Sequence, residues 1–266
     1  MVVFPNAKIN IGLNIVKKLS NGYHSIESCF YPIPLTDALE AIESNTLSFA
    51  SSGIEIPGNK TDNLCLKAYH LVKEGYDVPT VAIHLHKNIP IGAGLGGGSA
   101  DGAFMIKLLN EKFNFGMSVV EMEKLAAKLG SDCPFFIKNE PVFVEGTGNL
   151  FSEINFSLQG KFLVVVMPEI HVSTAQAYAG VSPQKPASNL KKDLTTLGLS
   201  AFQSVVKNDF EKSVFGRFPA LVEIKEALLK AGAIYASMSG SGSSIFGVFE
   251  NKPEFSSEHS FQVFEL

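Results

Sequence analysis

The sequence is poor in charge, and what it has does not lean positive. Charged residues make up 18% of the chain, and 22 Lys and Arg against 26 Asp and Glu leave a formal net charge of −4. Such a balance gives no basic field to draw in nucleic acid. Cysteine is scarce as well. Cys29, Cys65 and Cys133 stand far apart with no C-x-x-C between them, which suggests neither a disulfide framework nor a zinc site and fits a reducing compartment. No apolar run reaches the length of a membrane span, and Met1-Val2-Val3-Phe4-Pro5 lacks the basic and apolar regions of a secretion signal, so a cytoplasmic protein is expected. His84 and His86 share a face of one alternating run, but no third ligand is apparent nearby and surface histidines are expected. With 266 residues, 45% of them apolar, the chain suffices for one large or two modest domains with real cores.

Glycine, by contrast, is concentrated in one place. Pro90-Ile91-Gly92-Ala93-Gly94-Leu95-Gly96-Gly97-Gly98-Ser99-Ala100-Asp101 follows an alternating run over residues 81–86 that reads as a strand, and precedes an apolar run over 103–110 that reads as a buried helix. Five glycines within seven residues strip the connection of most Cβ atoms, so its amides can crowd around a ligand. Ser99 stands where an N-cap is expected, and a helix start offers unpaired N–H groups and about half a positive charge. Together these make a cradle for phosphate. A Walker loop is excluded, because Gly97-Gly98-Ser99 contains no lysine. Gly92, Gly94 and Gly97 do satisfy G-x-G-x-x-G. However, Pro90 interrupts the approach and no acid stands about twenty residues further on, which argues against a dinucleotide fold. A glycine-rich turn without a ligand is the remaining alternative.

Other segments admit two readings each. From Ala7 to Ile15 apolar and polar residues alternate, so Lys8 and Asn10 point the same way, either as the solvated face of an edge strand or into a site. Asn21-Gly22 is a turn signal, after which Tyr23-His24 begins another strand. Ser51-Ser52-Gly53 and Pro57-Gly58-Asn59 read as loops. Asn63 stands in place to cap a helix over 64–74. Ser118 and Glu121 form a capping box for a helix that Gly130 closes. Asp132 then stands just ahead of an apolar run, in place to cap the next turn. Residues 155–161 read as a boundary, giving segments 1–157 and 158–266. An apolar strand over 162–168 reads as central in a second sheet. Thr174 and Tyr178 fall one helical turn apart, and residues 182–200 read as mobile. A helix over 219–230 leads to two strands around Ser239-Gly240-Ser241-Gly242-Ser243, either a flexible hairpin tip or a phosphate loop.

Taken together, these motifs resemble the GHMP kinases. Pro5-Asn6-Ala7-Lys8-Ile9-Asn10 is similar to the first motif of that family. Residues 90–99 are similar to the second, and Ser239-Gly240-Ser241-Gly242 to the third. The triple glycine before Ser99 and the Asn21-Gly22-Tyr23-His24 segment resemble the branch whose substrate carries a cytidine diphosphate group. Gly130-Ser131-Asp132-Cys133-Pro134 resembles its catalytic aspartate segment. The resemblance implies an α+β fold of two domains, ribosomal S5 domain 2-like at the N-terminus and ferredoxin-like at the C-terminus, with the substrate between them. It implies ATP-dependent phosphorylation of the 2-hydroxyl of 4-diphosphocytidyl-2-C-methyl-D-erythritol in non-mevalonate isoprenoid synthesis.

The same resemblance assigns roles to residues. Lys8 and Asp132 are implied as catalytic, Asp132 as general base and Lys8 as the charge that keeps it ionised. Pro90, Gly92, Ala93, Gly94, Leu95, Gly96, Gly97, Gly98, Ser99, Gly240 and Gly242 would hold ATP, with Asn63 and Lys87 beside adenine. Asn10, Tyr23, His24, Thr174 and Tyr178 would hold the substrate. Mg²⁺ is expected to arrive with ATP, without a protein ligand assigned, and the protein is expected to be a monomer or weak homodimer. Ala100 stands where the family commonly has a second serine, and Gly102 where it has alanine. Other GHMP kinases acting on homoserine or mevalonate, and a catalytically silent nucleotide-binding regulator, are the rival functions.

Overall fold

The computed structural model describes every residue except Lys185. Its backbone divides into two compact units that interleave along the chain. The first comprises Met1–Lys8, Pro32–Ile91 and Gly96–Glu140, and the second Ile9–Tyr31, Gly92–Leu95 and Pro141–Leu266. Strands β2 (Asn6–Lys18) and β3 (His24–Thr36), which follow the short β1 (Val2–Val3), run through both. A single boundary near residue 157 therefore marks a division of the sequence, not an edge of either compact unit.

The first unit continues with β4 (Ala38–Glu43), β5 (Ser48–Gly53), α1 (Leu64–Lys73), β6 (Val81–Lys87), α2 (Gly97–Phe113), α3 (Val119–Leu129) and α4 (Phe135–Lys138). One sheet has the order β1-β4-β6-β5, with β4 antiparallel and β5 parallel to β6. Parallel neighbours need a crossover, and α1 supplies it between β5 and β6. Residues 51–53, expected in a loop, belong to β5, because backbone pairing with β6 holds an exposed edge strand of small side chains that carries no apolar pattern. Asn63 accepts from the Cys65 N–H at 2.9 Å and so caps α1. The capping box of α3 forms in full, Ser118 N–H to Glu121 at 2.8 Å and Glu121 N–H to Ser118 Oγ at 3.3 Å.

Helix α2 starts two residues before the expected Ser99 cap. Gly96 occupies the cap position with φ +72°, a left-handed conformation that glycine adopts without strain, and Ser99 lies inside the first turn.

In the second unit the chain forms β7 (Val142–Glu145), β8 (Leu150–Glu153), β9 (Phe162–Met167), α5 (Thr174–Ala179), α6 (Leu190–Thr196), α7 (Phe202–Val205), α8 (Phe210–Arg217), α9 (Ala220–Lys230), β10 (Tyr235–Met238), β11 (Ile245–Phe249) and β12 (Ser260–Glu265). One sheet runs β2-β3-β7-β8 and another β10-β11-β9-β12. As its apolar composition suggests, β9 is central, flanked on both sides by antiparallel partners. Leu221, Ile224 and Leu228 recur at helical spacing on α9 and join Val164, Val166, Met238 and Ile245 in one core. Truncating Leu228, fully buried, to alanine would cost about 2–5 kcal/mol.

Residues 190–196, within the stretch expected to be mobile, form α6, because Leu190 and Leu194 bury one face of it. Buried Ser239, Gly240, Gly242 and Ser243 make the β10–β11 connection part of the interior and rule out a flexible tip. Both faces of β2 are also buried. Lys8 and Asn10 are 4% and 2% exposed, so the solvated-face reading of this strand does not hold.

Candidate active site

The first unit gathers Lys8, Asp132 and the start of α2. The N–H groups of a helix's first turn have no acceptor within the helix and carry its positive end. Here that turn is Gly97, Gly98 and Ser99, and a Cβ on exposed Gly98 would meet nothing within 4 Å. At Gly96 a Cβ would lie 3.0 Å from Phe136 Cζ and 3.1 Å from Lys8 Cγ, so the lysine stem runs directly against the helix start. Lys8 Nζ faces Asp132 Oδ2 at 3.8 Å. The lysine side chain is 5% exposed and the aspartate 31%, which leaves the carboxylate open to a reactant while the ammonium is shielded. Burial lowers the Lys8 pKa below the ordinary lysine value, and Asp132 partly offsets the shift. Asp132 does not cap α4, whose cap position is Pro134.

Ser99, in the first turn of α2, stands close enough to Cys133, the neighbour of Asp132, to act on its thiol. Burial pushes the Cys133 thiol up to about 11, which makes it inert as a nucleophile. Asn63, besides capping α1, lines a cavity of about 520 Å³ together with Phe49, Ile54, Pro57 and Lys60.

Lys87 is the residue expected beside adenine. Its side chain is 2% exposed and its ammonium is bonded to Asp37 and, at 2.8 Å, to Asp101. An ammonium committed to two buried carboxylates is not available to a base. The sequence hints at Asp101, a carboxylate entering an otherwise apolar helix, but gives no local signal for Asp37.

The second unit carries the other half of the glycine loop and the expected substrate residues. Asn10 Nδ2 donates to Ser28 Oγ at 2.9 Å, and the Asn10 N–H donates to Ser239 Oγ at 3.2 Å. Ser239 Oγ in turn donates to the Gly94 carbonyl at 2.8 Å, and the Ser244 N–H donates to the Ala93 carbonyl at 3.1 Å. Gly94 has φ +79°, and a Cβ there would lie 2.0 Å from the Ser239 carbonyl oxygen. Residues 92–95 are thus locked onto the 239–244 loop. Asn208, which no motif pointed to, holds that loop from beneath, with Nδ2 donating to the Met238 and Gly240 carbonyls at 2.7 and 2.9 Å.

His24 and Tyr178 stack, with ring centroids 4.6 Å apart and planes 18° from parallel. Tyr178 also meets Phe210 edge-on at 4.8 Å. Burial, with Lys18 adding to it, lowers the His24 pKa, so the ring is held neutral. Thr174 is exposed at the start of α5, and Tyr23 is 66% exposed rather than part of the stack. His84 and His86 are exposed and share the Ser52 hydroxyl, at 3.2 and 2.9 Å. Among the described residues no group of three or more His, Cys, Asp or Glu side chains is gathered to hold a metal ion.

A helix start cradled by glycine, with a shielded ammonium and an open carboxylate against it, is equipment for phosphoryl transfer. Family models agree: that of the GHMP kinases N terminal domain matches residues 63–140, and that of the GHMP kinases C terminal matches residues 187–257. The chain belongs to the GHMP kinases.

Within that family it is 50% identical over 272 residues to the 4-diphosphocytidyl-2-C-methyl-D-erythritol kinase of Bacteroides fragilis, covering 99% of each chain. It is 48% identical to the enzyme of the same name from Parabacteroides distasonis, covering 98% of this chain and 96% of that one. A solved crystal structure of 4-(cytidine 5'-diphospho)-2C-methyl-D-erythritol kinase superposes with a TM-score of 0.77 at 29% identity, over 93% of this chain and 90% of that one.

Proposed function

We propose that the protein transfers the γ-phosphoryl group of ATP to the 2-hydroxyl of 4-diphosphocytidyl-2-C-methyl-D-erythritol, in the non-mevalonate route to isoprenoid precursors. The observation that carries the reading is the Lys8–Asp132 pair, 3.8 Å apart, with the Lys8 stem against Gly96 at the start of α2. Full-length similarity to relatives bearing that enzyme name supports the choice of substrate.

In this reading the amides of Gly96 to Ser99 receive the phosphates, helped by the helix dipole. Gly92, Ala93, Gly94 and Leu95 continue the cradle, backed by Gly240 and Gly242, while Pro90 sets the approach. Asn63 and the cavity it lines take the adenine. Asp132 accepts the proton of the acceptor hydroxyl as the phosphorus–oxygen bond forms and ADP leaves. Lys8 offsets charge on the transferring group. Mg²⁺ would come with ATP and would offset the charge of its phosphates, with no residue of this chain assigned to hold it. Asn10, Tyr23, His24, Thr174 and Tyr178 hold the acceptor, with a neutral His24 suited to the hydrogen-bonding edge of a cytosine.

Segments 1–157 and 158–266 are the two domains in the family's sense, the two family-model matches falling one on each side. The protein works in the cytoplasm as a monomer or weak homodimer. A coupled ADP-release assay with this acceptor, with the same tetritol lacking cytidine, and with homoserine and mevalonate tests the assignment. Turnover only with the cytidine-bearing acceptor supports it, and equal turnover without cytidine contradicts it.

A further inference from the structure

The glycine loop is short of side chains, yet a phosphate cradle works only if its amides stay in place. Both of its ends are fastened by one buried cluster in the first unit. Asp37, at the turn between β3 and β4, is 1% exposed. Its Oδ1 accepts from the N–H groups of Asn88 and Ile89, at 2.6 and 2.8 Å, immediately before Pro90. Its Oδ2 accepts from Lys87 Nζ, and Lys87 Nζ reaches on to Asp101 Oδ2 at 2.8 Å, in α2 beyond the loop. A Cβ on Gly97 would come within 2.9 Å of Lys87 Nζ, so the ammonium lies directly beneath the first turn of the helix. Asp101 Oδ1 is buried with no hydrogen-bond partner among the described residues.

Two carboxyl groups against one ammonium in a buried cluster are a poor choice for stability alone. Breaking even in such a cluster demands full hydrogen bonding, and apolar replacements are often as stable or more so. The arrangement makes sense as a device for geometry. We infer that Asp37, Lys87 and Asp101 are positioning residues for ATP, clamping the strand before the glycine loop to the helix after it and so holding the phosphate-binding amides in register. None of the three touches the nucleotide in this account. The inference rests on the proposed reading of the loop as the ATP site.

The test uses Asp101→Ala and Asp101→Asn in the full chain. Asp101→Ala cuts the link to α2 but leaves Lys87 paired with Asp37, so the fold survives. Asp101→Asn keeps an acceptor for Lys87. KM for ATP, KM for the acceptor and the melting temperature are measured for each. Losing a charge-assisted bond of this kind should raise the ATP KM of Asp101→Ala about tenfold. The acceptor KM and the melting temperature should stay close to wild type, and Asp101→Asn should recover most of the ATP affinity. An unchanged ATP KM in Asp101→Ala, equal rises in both KM values, or no recovery in Asp101→Asn would overturn the inference and leave the proposed function standing. A wild-type chain that neither binds nor consumes ATP would overturn both.

Discussion

Lys8 Nζ and Asp132 Oδ2 face each other at 3.8 Å, beyond a tight hydrogen bond, with the ammonium shielded and the carboxylate a third exposed. That spacing leaves room for a proton donor to approach the carboxylate while the lysine still acts on the same region of charge. Asp132→Asn keeps the shape and removes the base. Its kcat should fall by roughly 10²- to 10⁴-fold with ATP affinity nearly intact. Steady-state kinetics with direct nucleotide binding check this, and a mild effect on kcat removes Asp132 as the base.

The lowered pKa of Lys8 predicts an alkaline limit on turnover. Burial disfavours its charged form, so the ammonium is lost below the ordinary lysine value of 10.5, and kcat should decline with rising pH before that value is reached. A pH profile that stays flat up to 10.5 contradicts the role given to its charge.

The stacked His24–Tyr178 pair predicts selective loss of acceptor binding. A base stacked on an aromatic ring is worth about 1–3 kcal/mol, so Tyr178→Ala should raise the acceptor KM by about 5- to 150-fold. His24→Ala and Tyr23→Ala should act in the same direction, with the ATP KM little changed. Equal effects on both substrates would remove these residues from the cytosine site.

Gly94→Ala tests the locked loops. Its Cβ would collide with the Ser239 carbonyl oxygen at 2.0 Å, and φ +79° adds backbone strain. The variant should melt well below wild type and lose turnover. Ser239→Ala, which removes only the bonds to Gly94 and Asn10, should cost about 0.5–1.5 kcal/mol per lost bond. If the two variants melt alike, the close approach at Gly94 is not what constrains the loop.

Asp101 predicts a pH dependence of stability. Burial raises its pKa to about 8, with Lys87 opposing the shift and Asp37 adding to it, and Cys65 is buried near the same cluster. In the unfolded chain the carboxyl titrates near 4. Between the two values the folded protein holds a proton that the unfolded one releases. Stability from this group is therefore complete below the lower value and is lost as pH rises through about 8. Asp101→Asn cannot titrate, so its melting temperature should gain on wild type between pH 5 and pH 9. A constant difference across that range contradicts the account of a buried, protonated Asp101.

Local pattern announced much of the machinery. Five closely spaced glycines before an apolar run, the Lys8 strand and the third serine-glycine loop could each be read from residue order, because the chemistry there depends on missing side chains or on period-two alternation. Long-range bonding was not legible. The cap role of Asn63 is local and legible, but the Asp37–Lys87–Asp101 cluster depends on bonds from Lys87 to residues 50 and 14 positions away in the chain. Hydroxyl preference points to Ser99 as the cap, whereas the left-handed turn at Gly96 decides where α2 begins. Residues 51–53 read as a loop yet end β5, since small exposed side chains carry no hydrophobic signal and only the backbone pairs.

The most direct test of the central claim is a single-turnover measurement of wild type and Asp132→Asn, both saturated with ATP and the cytidine-bearing acceptor. The account predicts rapid formation of the acceptor 2-phosphate and ADP by wild type, and a phosphoryl-transfer step slowed by orders of magnitude in the variant despite full nucleotide occupancy. Equal transfer rates in the two proteins would contradict it.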